Sequence, residues 1–178
     1  MNWNSHLSSR GALLLLVLTS SVLFSRDGRA QSLDVRVDSM VSSGILTGPG
    51  GEKTETTLAP LALELDAAFV FDGDDSIEWV LGTISQIEDT PGFAVNPQIR
   101  LRREYGHLAM FAGFGLPLFF KPFTRLGTEF SLGFAFPERG ALSLFAQGQV
   151  ASYLFGSDLP DDAVVLTIGG AVGLRWRF

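Results

Sequence analysis

The chain has 178 residues, a net charge of −6 and no cysteine. Without cysteine it can have no disulfide, no cysteine-linked lipid anchor and no cysteine nucleophile or metal ligand. The acidic balance disfavours nucleic acid as a partner, because binding phosphates requires an excess of Lys and Arg. The length suits one domain. No phosphate-binding glycine loop, histidine-rich set or long repeat occurs, so we expect no cofactor and no metal.

Residues 1–30 are predicted to be a cleaved secretory signal peptide. Arg10 precedes an apolar run over 12–24, and small residues at 28–30 suit signal peptidase. The run is too short for a membrane-spanning helix, which needs about 20 apolar residues. Because this segment carries three arginines and one aspartate, its removal changes the net charge from −6 to −8. Residues 31–178 then form the mature domain.

The mature sequence alternates apolar and polar residues between turn signals, which predicts β-strands. Each strand is long enough to cross a membrane, which takes about 9 to 11 residues. An even number of strands places both chain ends on one side, which we expect to be periplasmic. The eight predicted strands are 33–43, 57–71, 77–87, 93–103, 107–118, 125–136, 141–155 and 163–178.

The connections between these strands form two classes. Short, polar, glycine-containing turns are typical of the periplasmic side of a barrel. Of the opposite connections, only 44–56 is long enough to present much surface, so we expect little display outside the membrane. The periplasmic turns are predicted at 72–76, 104–106 and 137–140, and the outer connections at 44–56, 88–92, 119–124 and 156–162.

One face of the predicted strands is consistently apolar, for example Phe130, Leu132 and Phe134 of the sixth strand. A soluble barrel or sandwich could bury such a face as its core. The other face favours a membrane, because small residues such as Gly113 and Gly173 beside few charges suit a narrow, crowded lumen. Only a closed sheet satisfies every backbone group in lipid. The predicted fold is therefore an all-β, eight-stranded antiparallel up-and-down transmembrane barrel.

Aromatic residues gather near both ends of the predicted strands. Such girdles are typical of the two membrane interfaces. The periplasmic girdle is predicted to contain Phe69, Phe71, Trp79, Phe134, Phe136, Trp176 and Phe178, and the outer girdle Phe93, Phe119, Phe120, Phe123 and Phe155.

Six acids and five arginines on the lumen face fall at similar depths near the periplasmic ends. Because the first and last strands must pair, Asp34 and Asp38 are expected beside Arg175 and Arg177. A static ionic plug is favoured over a gate or an ion-conducting constriction, since an eight-stranded barrel is only wide enough for its own side chains. The predicted cluster is Asp34, Arg36, Asp38, Glu64, Asp66, Glu78, Arg100, Arg102, Glu129, Arg175 and Arg177.

The last strand ends Gly173-Leu174-Arg175-Trp176-Arg177-Phe178, with apolar residues at every second position. It resembles the C-terminal strand of bacterial outer-membrane barrels, whose terminal Phe is recognised by the assembly machinery. Trp176 and Phe178 are therefore the candidate assembly signal. With the signal-like segment, the mature length and the charge cluster, the chain resembles the small OmpA- and OmpX-type barrels. It differs in lacking a C-terminal periplasmic domain and strands that protrude far from the membrane.

The resemblance implies a structural or interaction role in the cell outer membrane, with lipid, lipopolysaccharide and the barrel assembly machinery as partners and a monomeric state. The alternatives are a porin-like narrow channel for ions or small solutes, a soluble periplasmic ligand-binding barrel and a lipid-modifying enzyme. We expect no enzyme, because His6 lies in the signal segment and His107 at a periplasmic turn, which leaves no imidazole to activate a serine at the outer rim.

Two acidic groups could bind a divalent cation, but neither has the alternating ligands of a calcium loop. Solvated loops are the favoured interpretation. The groups are Asp72, Asp74 and Asp75, and Asp158, Asp161 and Asp162.

Overall fold

A computed structural model describes residues 33–50, 53–71, 76–88, 91–137, 141–159 and 163–178. The predicted signal peptide lies outside the described residues. Among the described residues, no helix has the length and hydropathy needed to cross a membrane. The described residues form nine strands: β1 Leu33–Gly50, β2 Lys53–Phe71, β3 Ile77–Gln86, β4 Gly92–Tyr105, β5 Leu108–Gly115, β6 Leu118–Lys121, β7 Arg125–Phe136, β8 Leu142–Gly156 and β9 Val165–Arg177.

The strands form one closed antiparallel ring. Each pairs with the strands beside it along the chain, except that β5 and β6 do not pair with each other, and β1 also pairs with β9. Strand β6 continues β5 after Leu116 and Pro117, since both pair with β4 on one side and β7 on the other. Proline has no N–H for the ladder, which accounts for the interruption. With β5 and β6 counted as one interrupted strand, the ring has eight strands, and the predicted eight-stranded up-and-down barrel is confirmed.

The hairpin of β1 and β2 is longer than predicted. Its strands have 18 and 19 residues, and their pairing continues to the partners Gly50 and Lys53. The Oγ1 atoms of Thr47 and Thr56 lie 3.1 Å apart across it. Pairing of β2 with β3 begins only at Ala62, so the hairpin extends past the end of β3.

The predicted connection 44–56 is therefore almost entirely strand, and the expectation of a long connection there was wrong. Glycine and proline in this segment favoured a loop in the sequence. The β-branched threonines favour an extended backbone, and a register shift between Ser42 and Gly44 lets the ladder continue past the irregularity.

The distribution of polarity is the reverse of that in a soluble protein. Leu132, Leu144 and Val172 are 57%, 62% and 65% exposed on the outer face, whereas Glu78 and Arg100 are fully buried inside. A soluble barrel would bury the leucines and expose the charges. The apolar outer face requires lipid as its solvent, so the structure excludes the soluble periplasmic barrel.

Both predicted aromatic girdles lie at the ends of the strands, with one exception. Trp79 and Phe136 are about half exposed at the end that carries the chain termini, and Phe123 and Phe155 are exposed at the opposite, loop end. Phe119 instead points into the barrel and packs against buried lumen residues. The sequence placed it wrongly because its neighbour Phe120 supplies the outward aromatic ring at this position.

Candidate functional site in the barrel lumen

Strand register brings the charged residues of the inner lumen together. Asp38 on β1 faces Asp66 on β2 and Arg175 on β9. Glu78 on β3 faces Arg100 on β4. Since residues opposite each other on neighbouring strands point to the same face, these side chains converge at the barrel axis.

Asp38 is the centre of this network. Its carboxylate accepts hydrogen bonds from Arg100 Nη1 at 2.9 Å and from Arg175 Nε and Nη2 at 2.6 and 2.9 Å. Arg100 Nη2 also donates to Asp66. All four side chains are at most 2% exposed, so each charge depends on its partners rather than on water.

A second junction lies at Glu78. Its carboxylate accepts hydrogen bonds from Arg36 Nη1 at 2.6 Å and from Arg175 Nη1 and Nη2 at 3.3 Å. Arg102 Nε lies 3.5 Å from the same carboxylate, and Arg102 Nη2 also bonds Glu104.

Nearer the chain ends, Asp34 links Arg36 and Arg177. The two arginines lie 2.8 and 2.9 Å from its carboxylate. The predicted pairing of Asp34 and Asp38 with Arg175 and Arg177 across the β1–β9 seam is thus confirmed. We call the set from Asp34 to Arg177 the ionic plug. Its members are Asp34, Arg36, Asp38, Asp66, Glu78, Arg100, Arg102, Glu104, Arg175 and Arg177.

Two aromatic rings complete the plug, and the sequence analysis missed them. Phe111 and Phe145 stack with centroids 4.8 Å apart and planes 13° apart. The guanidinium carbons of Arg100 and Arg175 lie 4.8 to 5.7 Å from the two ring centroids, close enough for cation–π attraction. The alternation of inward and outward positions could have revealed them, because both phenylalanines occupy inward positions of their strands among small residues.

Glu64 and Glu129 do not belong to the plug, contrary to the prediction. Glu64 accepts a hydrogen bond from Gln149 Nε2 at 3.3 Å, and Glu129 accepts one from Asn96 Nδ2 at 3.1 Å. Neither forms an ion pair with a described arginine. The strands of a barrel are tilted and staggered, so equal counts along different strands do not give equal depths. Both acids lie nearer the loop end.

These two acids line a cavity of about 80 Å³ on the loop side of the plug. Phe119 and Tyr153 form part of its wall, with ring centroids 5.6 Å apart in an edge-to-face arrangement. A second cavity of about 250 Å³ lies at the loop end and shares Phe119 and Arg125 with the first. The lumen on the loop side of the plug therefore contains two adjoining cavities, which we call the vestibule.

An ion pair stands at the rim of this vestibule. Arg125 Nε donates to Asp158 Oδ1 at 3.0 Å, and Arg125 Nη2 also donates to Asp158. These hydrogen bonds hold the pKa of Asp158 below its usual range. The other acids of the two loop groups lie outside the described residues. The described residues contain no group of His, Cys, Asp or Glu side chains able to hold a metal ion.

The remaining candidate residues lie outside the lumen. His107 is exposed in the tight turn after Gly106, whose φ of 67° suits glycine. Phe178 is 79% exposed, and its N–H donates to the Val35 carbonyl at 3.0 Å. Trp176 lies on the same outer face with part of its ring covered. A role for Trp176 and Phe178 in assembly stays a prediction.

A closed ring of eight strands, apolar outside and filled by paired charges inside, defines a small β-barrel of the outer-membrane type. Solved structures show the same fold. Neisserial surface protein A has a TM-score of 0.59 and 10% identity, covering 84% of this chain and all of its own. The N-terminal barrel of Pseudomonas aeruginosa OprF has a TM-score of 0.51 and 10% identity, covering 83% and 99%.

No family model matches the sequence, and no curated protein matches it significantly. At 10% identity the two structures establish the fold alone. The apolar outer face independently requires a membrane, and this barrel fold is that of bacterial outer-membrane proteins. The chain is therefore located in the outer membrane.

Proposed function

We propose that the protein is a closed, non-enzymatic barrel with a structural or interaction role in the outer membrane. The observation that carries this proposal is the burial of the ionic plug. Arg36, Asp38, Glu78, Arg100 and Arg175 are all at most 2% exposed although all are charged. A water-filled pore through the plug would expose them.

The energetics support a closed state. Buried charges are stable only when each keeps its partner, and removing one partner of a buried pair costs about 3 to 5 kcal/mol. Because Asp38 and Glu78 each bridge more than one arginine, opening a path would separate at least one such pair.

The long β1–β2 hairpin supports an interaction role. Leu58 is 82% exposed near its tip, beside the exposed Thr56 and Thr57. Over 53–60 the β2 edge lies beyond its pairing with β3, and an unpaired strand edge can accept hydrogen bonds from another molecule. Lipid and lipopolysaccharide around the barrel, and the assembly machinery at the terminal strand, are the partners we propose for a monomeric barrel.

The absence of catalysis belongs to the same proposal. The described part of the mature chain places its histidine, His107, in a turn at the end opposite the vestibule. No imidazole therefore stands near the vestibule carboxylates to act as a general base for a serine.

A narrow channel is the second candidate, favoured by the vestibule. Single-channel recording of the purified protein in planar lipid bilayers separates the two functions. If the barrel is closed, the wild-type protein gives no current steps. If it is a channel, the wild-type protein conducts. Arg175→Ala removes a guanidinium and leaves Asp38 and Glu78 partly unpaired, so we expect water to enter and cation-selective steps to appear.

The matched control is Glu55→Gln on the exposed hairpin, which should stay silent. Steady conductance of the wild-type protein would contradict the closed barrel. Silence of the wild type together with a silent, folded Arg175→Ala protein would show that other residues also close the lumen.

A further inference from the structure

The vestibule contains two carboxyl groups that the arginines of the ionic plug do not pair with. In the plug, five acids contact five arginines: Asp34, Asp38, Asp66, Glu78 and Glu104, with Arg36, Arg100, Arg102, Arg175 and Arg177. Glu64 and Glu129 are in excess of this balance. Two cations line the outer cavity: Lys121, and Arg125, which Asp158 binds through two nitrogens.

Both surplus carboxylates are deeply buried and only partly satisfied. Glu64 and Glu129 are each 4% exposed. Each accepts one hydrogen bond, from Gln149 and Asn96 respectively, through its Oε1 atom. The Oε2 atoms accept none from the described residues. The two carboxylates also repel each other, and both lie on the cavity wall, so a cation between them would lower the electrostatic energy.

Tyr153 provides an independent sign of a ligand. It is 8% exposed and lines the same cavity, yet its hydroxyl has no hydrogen-bond partner among the described residues. The ring is buried while the hydroxyl is open to the cavity, where a ligand can supply the partner that such a group usually finds. Glu64, Glu129 and Tyr153 therefore offer three oxygen acceptors around one small space.

This chemistry suits an ammonium group better than a metal ion. An ammonium has three N–H donors for the three oxygens, and the aromatic rings of Phe119 and Tyr153 line the same cavity, where an exposed ring face would attract an organic cation. Calcium prefers six to eight oxygen ligands, and the described residues include no set of three acidic or histidine side chains for a metal. The adjoining cavity of about 250 Å³ has room for the rest of an organic molecule.

We propose that Glu64, Glu129 and Tyr153 bind the ammonium group of a small, soluble organic amine that enters from the loop end. This goes beyond the closed-barrel role and does not depend on it. Binding occupies the vestibule and leaves the arginines of the plug paired. A conducting barrel could hold the same site.

The test is a titration of the isotope-labelled barrel in phospholipid-free detergent micelles, followed by NMR. The probe is butylammonium, and 1-butanol is the uncharged probe of similar shape. We expect butylammonium to shift the side-chain amide of Gln149 and the methyl group of Ala151 in a saturable way, whereas 1-butanol should have little effect. Equal shifts with both probes, or no saturable shift with butylammonium, would overturn the proposal.

Variants test the named oxygens. Glu64→Gln and Glu129→Gln keep the side-chain shape, and each should weaken butylammonium binding at least about tenfold, because a charge-assisted hydrogen bond becomes a neutral one. Tyr153→Phe should weaken it by a smaller factor. Glu55→Gln is the matched control and should bind like wild type. Unchanged affinity in both acid variants would contradict the site even if Tyr153→Phe failed to fold.

Two further titrations identify the cation and its source. Calcium that shifts the same signals when butylammonium does not would assign a metal site and overturn the proposal. Phosphatidylethanolamine added to the micelles carries the same ammonium on a lipid. Shifts with this lipid alone would place the source in the membrane and overturn the soluble amine.

Discussion

Replacing Asp38 by asparagine tests the ionic plug most directly. The substitution keeps the side-chain shape but removes the charge that accepts three hydrogen bonds from Arg100 and Arg175. Both arginines are at most 2% exposed, so water cannot replace the lost carboxylate. Leaving buried charges without a partner typically costs about 3 to 5 kcal/mol. We take about 4 kcal/mol as the expected loss in the free energy of unfolding.

The assay is urea unfolding of the purified barrel in lipid vesicles, followed by the fluorescence of Trp79 and Trp176. With a denaturant slope of about 2 kcal/mol per molar urea, a loss of about 4 kcal/mol lowers the midpoint by about 2 M. Glu55→Gln, on the exposed hairpin, should change the stability by less than about 0.5 kcal/mol. A midpoint change below about 0.5 M for Asp38→Asn would refute the reasoning, because it would mean that solvent reaches Arg100 and Arg175.

Three more predictions concern separate parts of the barrel. A Cβ on Gly173 would overlap the Ser39 carbonyl oxygen, whereas one on Gly148 meets nothing closer than 3.9 Å. Gly173→Ala should therefore lower the free energy of unfolding by about 1 to 3 kcal/mol, and Gly148→Ala by much less. Equal urea midpoints for the two variants would contradict this packing. Arg125→Gln should raise the pKa of Asp158 towards that of an ordinary aspartate, which an NMR titration would measure. Because the pKa of Asp158 is lower in the folded than in the unfolded protein, the ion pair stabilises the fold at pH values above the unfolded pKa. This stabilisation is lost as the pH falls through the folded pKa. Deleting Phe178, whose ring is largely exposed, should reduce the amount of barrel in the outer membrane of cells but not refolding in detergent; equal membrane levels would count against an assembly role.

The alternation of side chains predicted most of the fold, because period two is a local property of a strand. Leu132 and Phe134 face outward and Gly113 faces inward, as the pattern required. The Asp38–Arg175 contact was also predictable, since an eight-stranded barrel closes only by pairing its first and last strands. These inferences need topology but not atomic positions.

Depth along the barrel axis was the part that the sequence could not provide. Glu64 and Asp66 are two residues apart on β2, yet Asp66 joins the plug and Glu64 lines the vestibule. Strand stagger decides between them, and stagger depends on the whole ring. The long hairpin escaped prediction for a related reason: the pairing of Gly48 with Glu55 depends on an adjacent strand that continues past Gly44, which glycine content alone does not reveal.

The seam between β1 and β9 couples two steps of assembly. Before β9 docks, Asp38 lacks the two bonds from Arg175, and Asp34 lacks its contact with Arg177. The final strand therefore completes both the backbone ladder and the balance of charge inside the ring. A barrel in which β1 and β9 are not yet paired would keep unpaired carboxylates and backbone groups away from water, and this costs free energy. We therefore expect the residues that seal the lumen also to favour the closed ring over partly closed ones.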